Sequence, residues 1–136
     1  MKYAIDTSVL VDLLREYEPA EELFERLTEE EADLMSSYVI RAEVLAGMRP
    51  DEERRTRDLL GLIEWLPIGE PESEAAGVLG RQHLPANRGI DTPDLLLAEL
   101  AQRQGAEVLT MNVKHFQEMF PGIRSPYSYE GGRSSG

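Results

Sequence analysis

The sequence predicts an α/β fold, a parallel sheet with helices on both of its faces. Short apolar runs at residues 2–5, 32–37 and 106–111 alternate with longer segments of helical spacing. The first run, Tyr3-Ala4-Ile5, is continuously apolar, as a strand buried on both faces is. The chain has 136 residues and is 41% hydrophobic, which suits one domain around one core.

The elements follow in order. After the strand at 2–5, "TSVLVDLLRE" repeats Val9, Leu10, Leu13 and Leu14 at helical spacing. Glu18-Pro19 punctuates, and "AEELFERLTEE" (20–30) resumes a helix with Leu23, Phe24 and Leu27 inward. "ADLMSS" (32–37) is a second strand that ends in hydroxyls. "YVIRAEVLAGM" (38–48) is a helix stopped by Gly47 and Pro50. "DEERRTRDLLGLIE" (51–64) is a charged amphipathic helix, and "WLPI" (65–68) a short strand weakened by its proline. A helix is expected over 70–84 and a loop over "PANRG". "TPDLLLAELAQRQG" (92–105) is a helix with proline near its start and glycine at its end. "AEVLTM" (106–111) is a buried strand, "NVKHFQEMF" a short helix, and "IRS" (123–125) a last edge strand. The tail "YSYEGGRSSG" is expected to be disordered.

Composition narrows the chemistry. There is no cysteine, which excludes disulfides, thiol catalysis and zinc–thiolate sites. Two histidines, His83 and His115, do not make a multi-histidine metal site, so any metal must be held by oxygen, as magnesium or manganese is. No secretory pattern opens the chain, and no apolar run approaches the roughly 18 residues of a membrane span; a cytoplasmic location is expected. The net charge of -12 opposes a general nucleic-acid binder, whose affinity comes from a basic surface.

In a parallel sheet the sites lie at the carboxyl ends of the strands. Asp6 and Thr7 follow the first strand, Ser36 and Ser37 end the second, and Thr110 and Asn112 stand at the end of the "EVLT" strand. Glu43 lies on or beside the apolar stripe of its helix, and Asp94 opens the most hydrophobic helix. Each has an ordinary reading. Asp6 is a natural helix cap, Glu43 a partner for Arg41 or Arg49, and Asp94 a complement to a helix dipole capped by Asp91 or Thr92. Asn112 is a cap for "VKHF", and the two histidines are surface or packing residues. Carboxylates gathered in one crevice would repel one another, and a hard divalent cation would remove that cost.

Three stretches, "YAIDTSVLVDLL", "SSYVIRAEVLAGM" and "DTPDLLLAELAQRQGAEVLTMNVKHFQEMFPGI", in that order and spacing, resemble the PIN-domain ribonucleases, most closely the VapC toxins of toxin–antitoxin pairs. The resemblance covers about residues 2–125. It implies a three-layer α/β/α fold with a parallel sheet of four to five strands, order 3-2-1-4-5. It implies one nuclease domain over 1–125, followed by a tail over 126–136. The family's metal-binding acids fall on Asp6, Glu43 and Asp94. Its fourth position falls on Asn112, where many relatives have aspartate; this implies one magnesium (or manganese in its place) rather than two. Thr7 and Thr110 match polar positions of the site, and Asp91 is an extra carboxylate three residues before Asp94. The implied activity is cleavage of structured RNA, such as transfer or ribosomal RNA, by water that the metal activates.

The implied partners are a second copy of the chain and a small VapB-like antitoxin whose arginine enters the acidic site. Arg41, Arg49, Arg88, Lys114 and the Arg54–Arg57 group are candidates for RNA contact. Three rivals stand beside this reading: an inactive PIN-fold binding module, a housekeeping RNA-processing nuclease of the same fold, and a phosphatase of the haloacid-dehalogenase kind. The last needs an aspartate two residues after Asp6, where this chain has Ser8.

Overall fold

The computed structural model describes residues 1–83 and 90–129. Four parallel strands form one sheet: β1 (Lys2–Ile5), β2 (Asp33–Ser37), β3 (Glu64–Leu66) and β4 (Glu107–Leu109), in the order β3-β2-β1-β4. Six helices flank it among the described residues. They are α1 (Thr7–Leu14), α2 (Glu18–Glu29), α3 (Tyr38–Ala46), α4 (Glu53–Leu60), α5 (Glu70–His83) and α6 (Thr92–Gln104). No helix is long and apolar enough to cross a membrane among the described residues.

Strand β1 lies inside the sheet. Ala4 and Ile5 of β1 have no exposed surface, because β2 and β4 pair with both edges and helices cover the faces. Helix α6 lies against β1, β2 and β4 and carries α5, while α1 packs on α2 and α3. Val9, Leu10, Ile40, Leu97 and Phe116 join one core.

Strand order locates the crevice. From β1 the chain crosses to β2 and β3 on one side, whereas β4 pairs with β1 on the other. The order therefore reverses between β1 and β4, and a binding crevice opens at the carboxyl ends there. Asp6 and Thr110 are the residues that follow those two strands.

Several boundaries differ from expectation, each for a local reason. Helix α2 starts at Glu18 because Pro19 falls in its first turn, where no N–H is required. The segment 51–64 opens as a 3-10 turn, Pro50–Glu52, and its helix stops at Leu60. Trp65 Nε1 donates to the Leu60 carbonyl (2.8 Å), and Glu64 already belongs to β3. "NVKHFQEMF" forms only a 3-10 turn, Val113–His115, before irregular turns that bury Phe116 and Met119. Residues 123–125 form no strand, so the sheet has four among the described residues. The turn at Gly122 (φ 85°) and the missing N–H of Pro126 steer the chain away from the sheet edge.

From the segment expected to be a disordered tail, Tyr127–Tyr129 fold back onto α1: both tyrosine hydroxyls donate to Asp12 Oδ2 (2.8 Å each). The "PANRG" loop, Arg88 and residues 130–136 lie outside the described residues.

Helix α3 is held at its start by Ser37, whose Oγ accepts from the Ile40 N–H (3.3 Å). Ser37→Ala is expected to lower unfolding free energy by about 1 kcal/mol in urea titrations, the usual cost of a lost cap.

Candidate active site

Asp6 caps α1 and also anchors a hydroxyl network. Its Oδ1 accepts from the Thr7 N–H (2.8 Å); its Oδ2 accepts from Thr110 Oγ1 (2.7 Å) and Ser8 Oγ (3.2 Å). Thr110 Oγ1 in turn accepts from the Asn112 N–H (2.9 Å), and Ser8 Oγ from the Met111 N–H (3.0 Å). Asp6 N–H donates to the Leu109 carbonyl (2.9 Å), which continues the β1–β4 ladder. The carboxylate is thus fixed by two strand ends at once. It is 4% exposed, and burial pushes its pKa up despite those three donors.

Asp94 sits across from it on the first turn of α6. It and Asp91 form a capping box: Asp91 Oδ1 accepts from the Asp94 N–H (3.2 Å), and Asp94 Oδ2 from the Asp91 N–H (3.4 Å). His115 Nδ1 stands 2.9 Å from Asp94 Oδ2. Burial, then the charges of Asp91 and Asp6, push the Asp94 carboxyl up to about 7. Glu43 reaches the same crevice from α3, where its Oε1 accepts from Thr7 Oγ1 (2.7 Å).

These groups line one crevice of about 340 Å³. It contains Asp6, Thr7, Glu43, Asp91, Asp94 and Asn112, as the sequence proposed, together with Ser8, Asp12, His115 and Tyr129. Five carboxylates face it and, among the described residues, no lysine or arginine does. Thr110 is fully buried and supports the floor through Asp6.

Two expectations change. Glu43 is exposed beside the apolar stripe of Ile40 and Val44, and its partner is Thr7 and not Arg41 or Arg49. His115, read as a surface or packing residue, contacts Asp94. Asp12 and Tyr129 were not singled out. The carboxyl-end rule reached Thr110 and Asn112 but stopped short of His115, and nothing local marks Asp12 in a leucine-rich helix. Among the RNA-contact candidates, Arg55 is tied to Glu52 (3.7 Å) and Glu16 (3.8 Å), and Arg57 to Glu53 (3.7 Å).

The Asp94 shift has a sign that stability reports. A carboxyl whose pKa is higher in the folded chain (about 7) than unfolded (3.8) binds protons more tightly when folded. Cation-free protein therefore gains stability as pH falls from about 7 toward 4, and the ionisation penalty is complete above about 7. Melting temperatures measured across that window are expected to fall with rising pH, and Asp94→Asn to flatten the slope.

The sequence pattern that defines the PIN domain matches residues 3–119. The chain belongs to the PIN-domain family. This PIN domain is 35% identical over 123 residues to ribonuclease VapC19 of Mycobacterium tuberculosis, covering 90% of this chain and 98% of the relative. It is 30% identical over 129 residues to ribonuclease VapC10 of the same organism, covering 95% and 96%. Among solved structures, a toxin–antitoxin complex from Klebsiella pneumoniae shares the fold with TM-score 0.74 and 23% identity, over 93% of this chain and 99% of that one. DNA-bound VapBC from Salmonella typhimurium superposes with TM-score 0.67 and 25% identity, over 92% and 96%. The resemblance drawn from the three sequence stretches holds, and so does the parallel α/β architecture with strand order 3-2-1-4.

As they stand, no three His, Asp or Glu side chains among the described residues are gathered closely enough to hold a metal ion. In donor chemistry the set still fits a hard cation. The side chains offer carboxylate oxygen, and the charge of Asp6 raises the pKa of Asp94, a repulsion that a cation relieves. Magnesium retains several of its waters and needs only one or two direct carboxylates.

Proposed function

We propose that this PIN domain is an endoribonuclease dependent on a divalent cation, magnesium or manganese, and that it serves as the toxin of a VapBC-like toxin–antitoxin pair. One observation carries the reading: Asp6, Glu43 and Asp94, far apart in sequence, line one crevice in a chain with ribonuclease relatives. Asp6, Asp94 and Glu43 would hold the cation, directly or through its waters. Bound there, the cation supplies an activated water and positive charge for the phosphate undergoing attack.

The chain's own residues do the rest. Thr110 and Ser8 fix the Asp6 carboxylate, Thr7 fixes Glu43, and the capping box with His115 fixes Asp94. Asn112, at the start of the turn Val113–His115, would orient a water of the cation. A neutral amide there adds no charge to the site, which favours one cation over two. An all-acidic crevice repels a polyanion, so RNA engages only once the charge is neutralised. Weak, salt-sensitive binding and selection of structured RNA by shape follow.

The test compares wild type with Asp94→Asn on candidate transfer and ribosomal RNAs, with magnesium and with a chelator. Cleavage by wild type with magnesium alone is expected; equal cleavage by both proteins would sink the assignment. An inactive binding module instead predicts no cleavage and no magnesium heat in calorimetry.

The partners are inferred from the toxin–antitoxin neighbours. A small antitoxin would put an arginine among the crevice carboxylates, a charge-assisted contact the site is built to accept. Light scattering at micromolar concentration is expected to give twice the 15.3 kDa chain mass, for a homodimer. A mass of one chain would count against the dimer.

A further inference from the structure

The crevice has one aromatic wall, built from an unexpected place. Tyr129 lines it although it lies 117 residues from Asp12, the group that anchors it. Asp12 is 4% exposed, and its Oδ2 accepts from the hydroxyls of Tyr127 and Tyr129 at 2.8 Å each. Two neutral donors stabilise that buried charge. Tyr17 clamps the same segment: its hydroxyl donates to the Ser128 carbonyl (2.9 Å), and its ring lies 5.7 Å from Tyr127 and 5.6 Å from Tyr129. Helix α1 therefore carries Asp6 at its start and, six residues on, the anchor that sets an aromatic ring beside the same crevice.

We propose that Tyr129 is a specificity-determining residue, whose half-buried ring takes an unpaired RNA base by stacking next to the carboxylates that act on the phosphate. The proposal rests on the endoribonuclease reading above. The other side chains of the crevice give it its force. Carboxylates repel phosphates and base acceptors alike, and of the side chains that line the crevice Tyr129 presents the largest aromatic surface to a base. Because hydroxyl and ring are held before substrate arrives, little side-chain freedom is lost on binding. Asp12 and Tyr17 act as positioning residues, through Tyr129.

The experiment uses the full chain and a short RNA that wild type cleaves, made in versions that each lack one base around the cut. With wild type, removing one particular base is expected to lower kcat/KM about 5- to 150-fold, the span of base–aromatic stacking. Tyr129→Leu is expected to lose a similar factor on intact RNA, more in KM than in kcat, and to become indifferent to that base. Tyr129→Phe, which keeps the ring and gives up the Asp12 bond, is expected to retain the base dependence in reduced degree, because Tyr17 still holds the segment. A leucine variant with the wild-type base profile overturns the proposal, as does one with equal losses at every position and a lower Tm. So does a flat profile in the phenylalanine variant. If wild type cleaves no RNA, the nuclease reading falls and the stacking proposal falls with it; if wild type cleaves and no coupling is found, only the stacking proposal falls.

Discussion

Asp6→Asn is expected to lower RNA cleavage at least about 100-fold, measured as single-turnover rate with magnesium in excess. Partners that merely orient a metal ligand cost about 10- to 100-fold when removed, and a direct ligand should cost no less. The change is nearly isosteric and keeps an oxygen for the Thr7 N–H, so α1 keeps its cap. It also places an amide among groups that donate, since Thr110 Oγ1 and Ser8 Oγ both give their protons to Oδ2. The hydroxyl network can reorient, because Thr110 and Ser8 each already accept a backbone N–H as well. Activity should therefore fall far more than stability. Burial disfavours the ionised form of Asp6, so the variant's melting temperature is expected to stay near that of wild type or to rise. A large loss of both together would mean that Asp6 is chiefly a cap.

Phe116→Ala is the change expected to cost most stability, about 3–5 kcal/mol in urea unfolding. Phe116 is wholly buried and packs near Phe120, with ring centroids 6.5 Å apart. Losses of that size are a large share of the stability of a small domain, about 5–15 kcal/mol. The residue also has a place in the site. It directly follows the turn Val113–His115, and its N–H donates to the Val113 carbonyl (3.0 Å). Emptying its pocket loosens the turn that carries Asn112 and His115, so catalysis should weaken even where the fold survives. Phe116→Leu, which refills much of the volume, is expected to recover most of both.

The parts of this molecule that were legible in the sequence are those written in local pattern. Tyr3-Ala4-Ile5 before Asp6 announces a buried strand with a charge at its carboxyl end, and the sheet forms as that implies. Asp91, Pro93 and Gly105 mark both ends of α6, where Gly105 adopts the left-handed φ of 64°. The convergence of Asp6, Glu43 and Asp94 was suggested by resemblance and is visible only in three dimensions, since no spacing rule links residues on three helices.

What was illegible is long-range. Asp12 sits among leucines in α1, and nothing local shows that its carboxylate accepts from two tyrosines more than a hundred residues away. Tyr129 belongs to a polar, glycine-rich end whose composition argues for disorder, and contacts with Asp12, Tyr17 and the core overrule that. His115 reads as an ordinary exposed histidine until α6 brings Asp94 beside it. Residues 123–125 have strand-like content, but strand formation needs a free sheet edge at the right place, which the Pro121-Gly122 turn denies them.

End-mapping of RNA most directly tests the central claim, that this crevice hydrolyses RNA with a cation held by its carboxylates. Wild-type protein is incubated with total RNA, with magnesium or with a chelator, and the new ends are sequenced and typed. Discrete cuts with 5′-phosphate and 3′-hydroxyl ends, present with magnesium and absent with chelator, are the expected result. Cuts that persist in chelator would contradict the cation, and 2′,3′-cyclic phosphate ends would contradict the water, because the 2′-hydroxyl would then be the nucleophile.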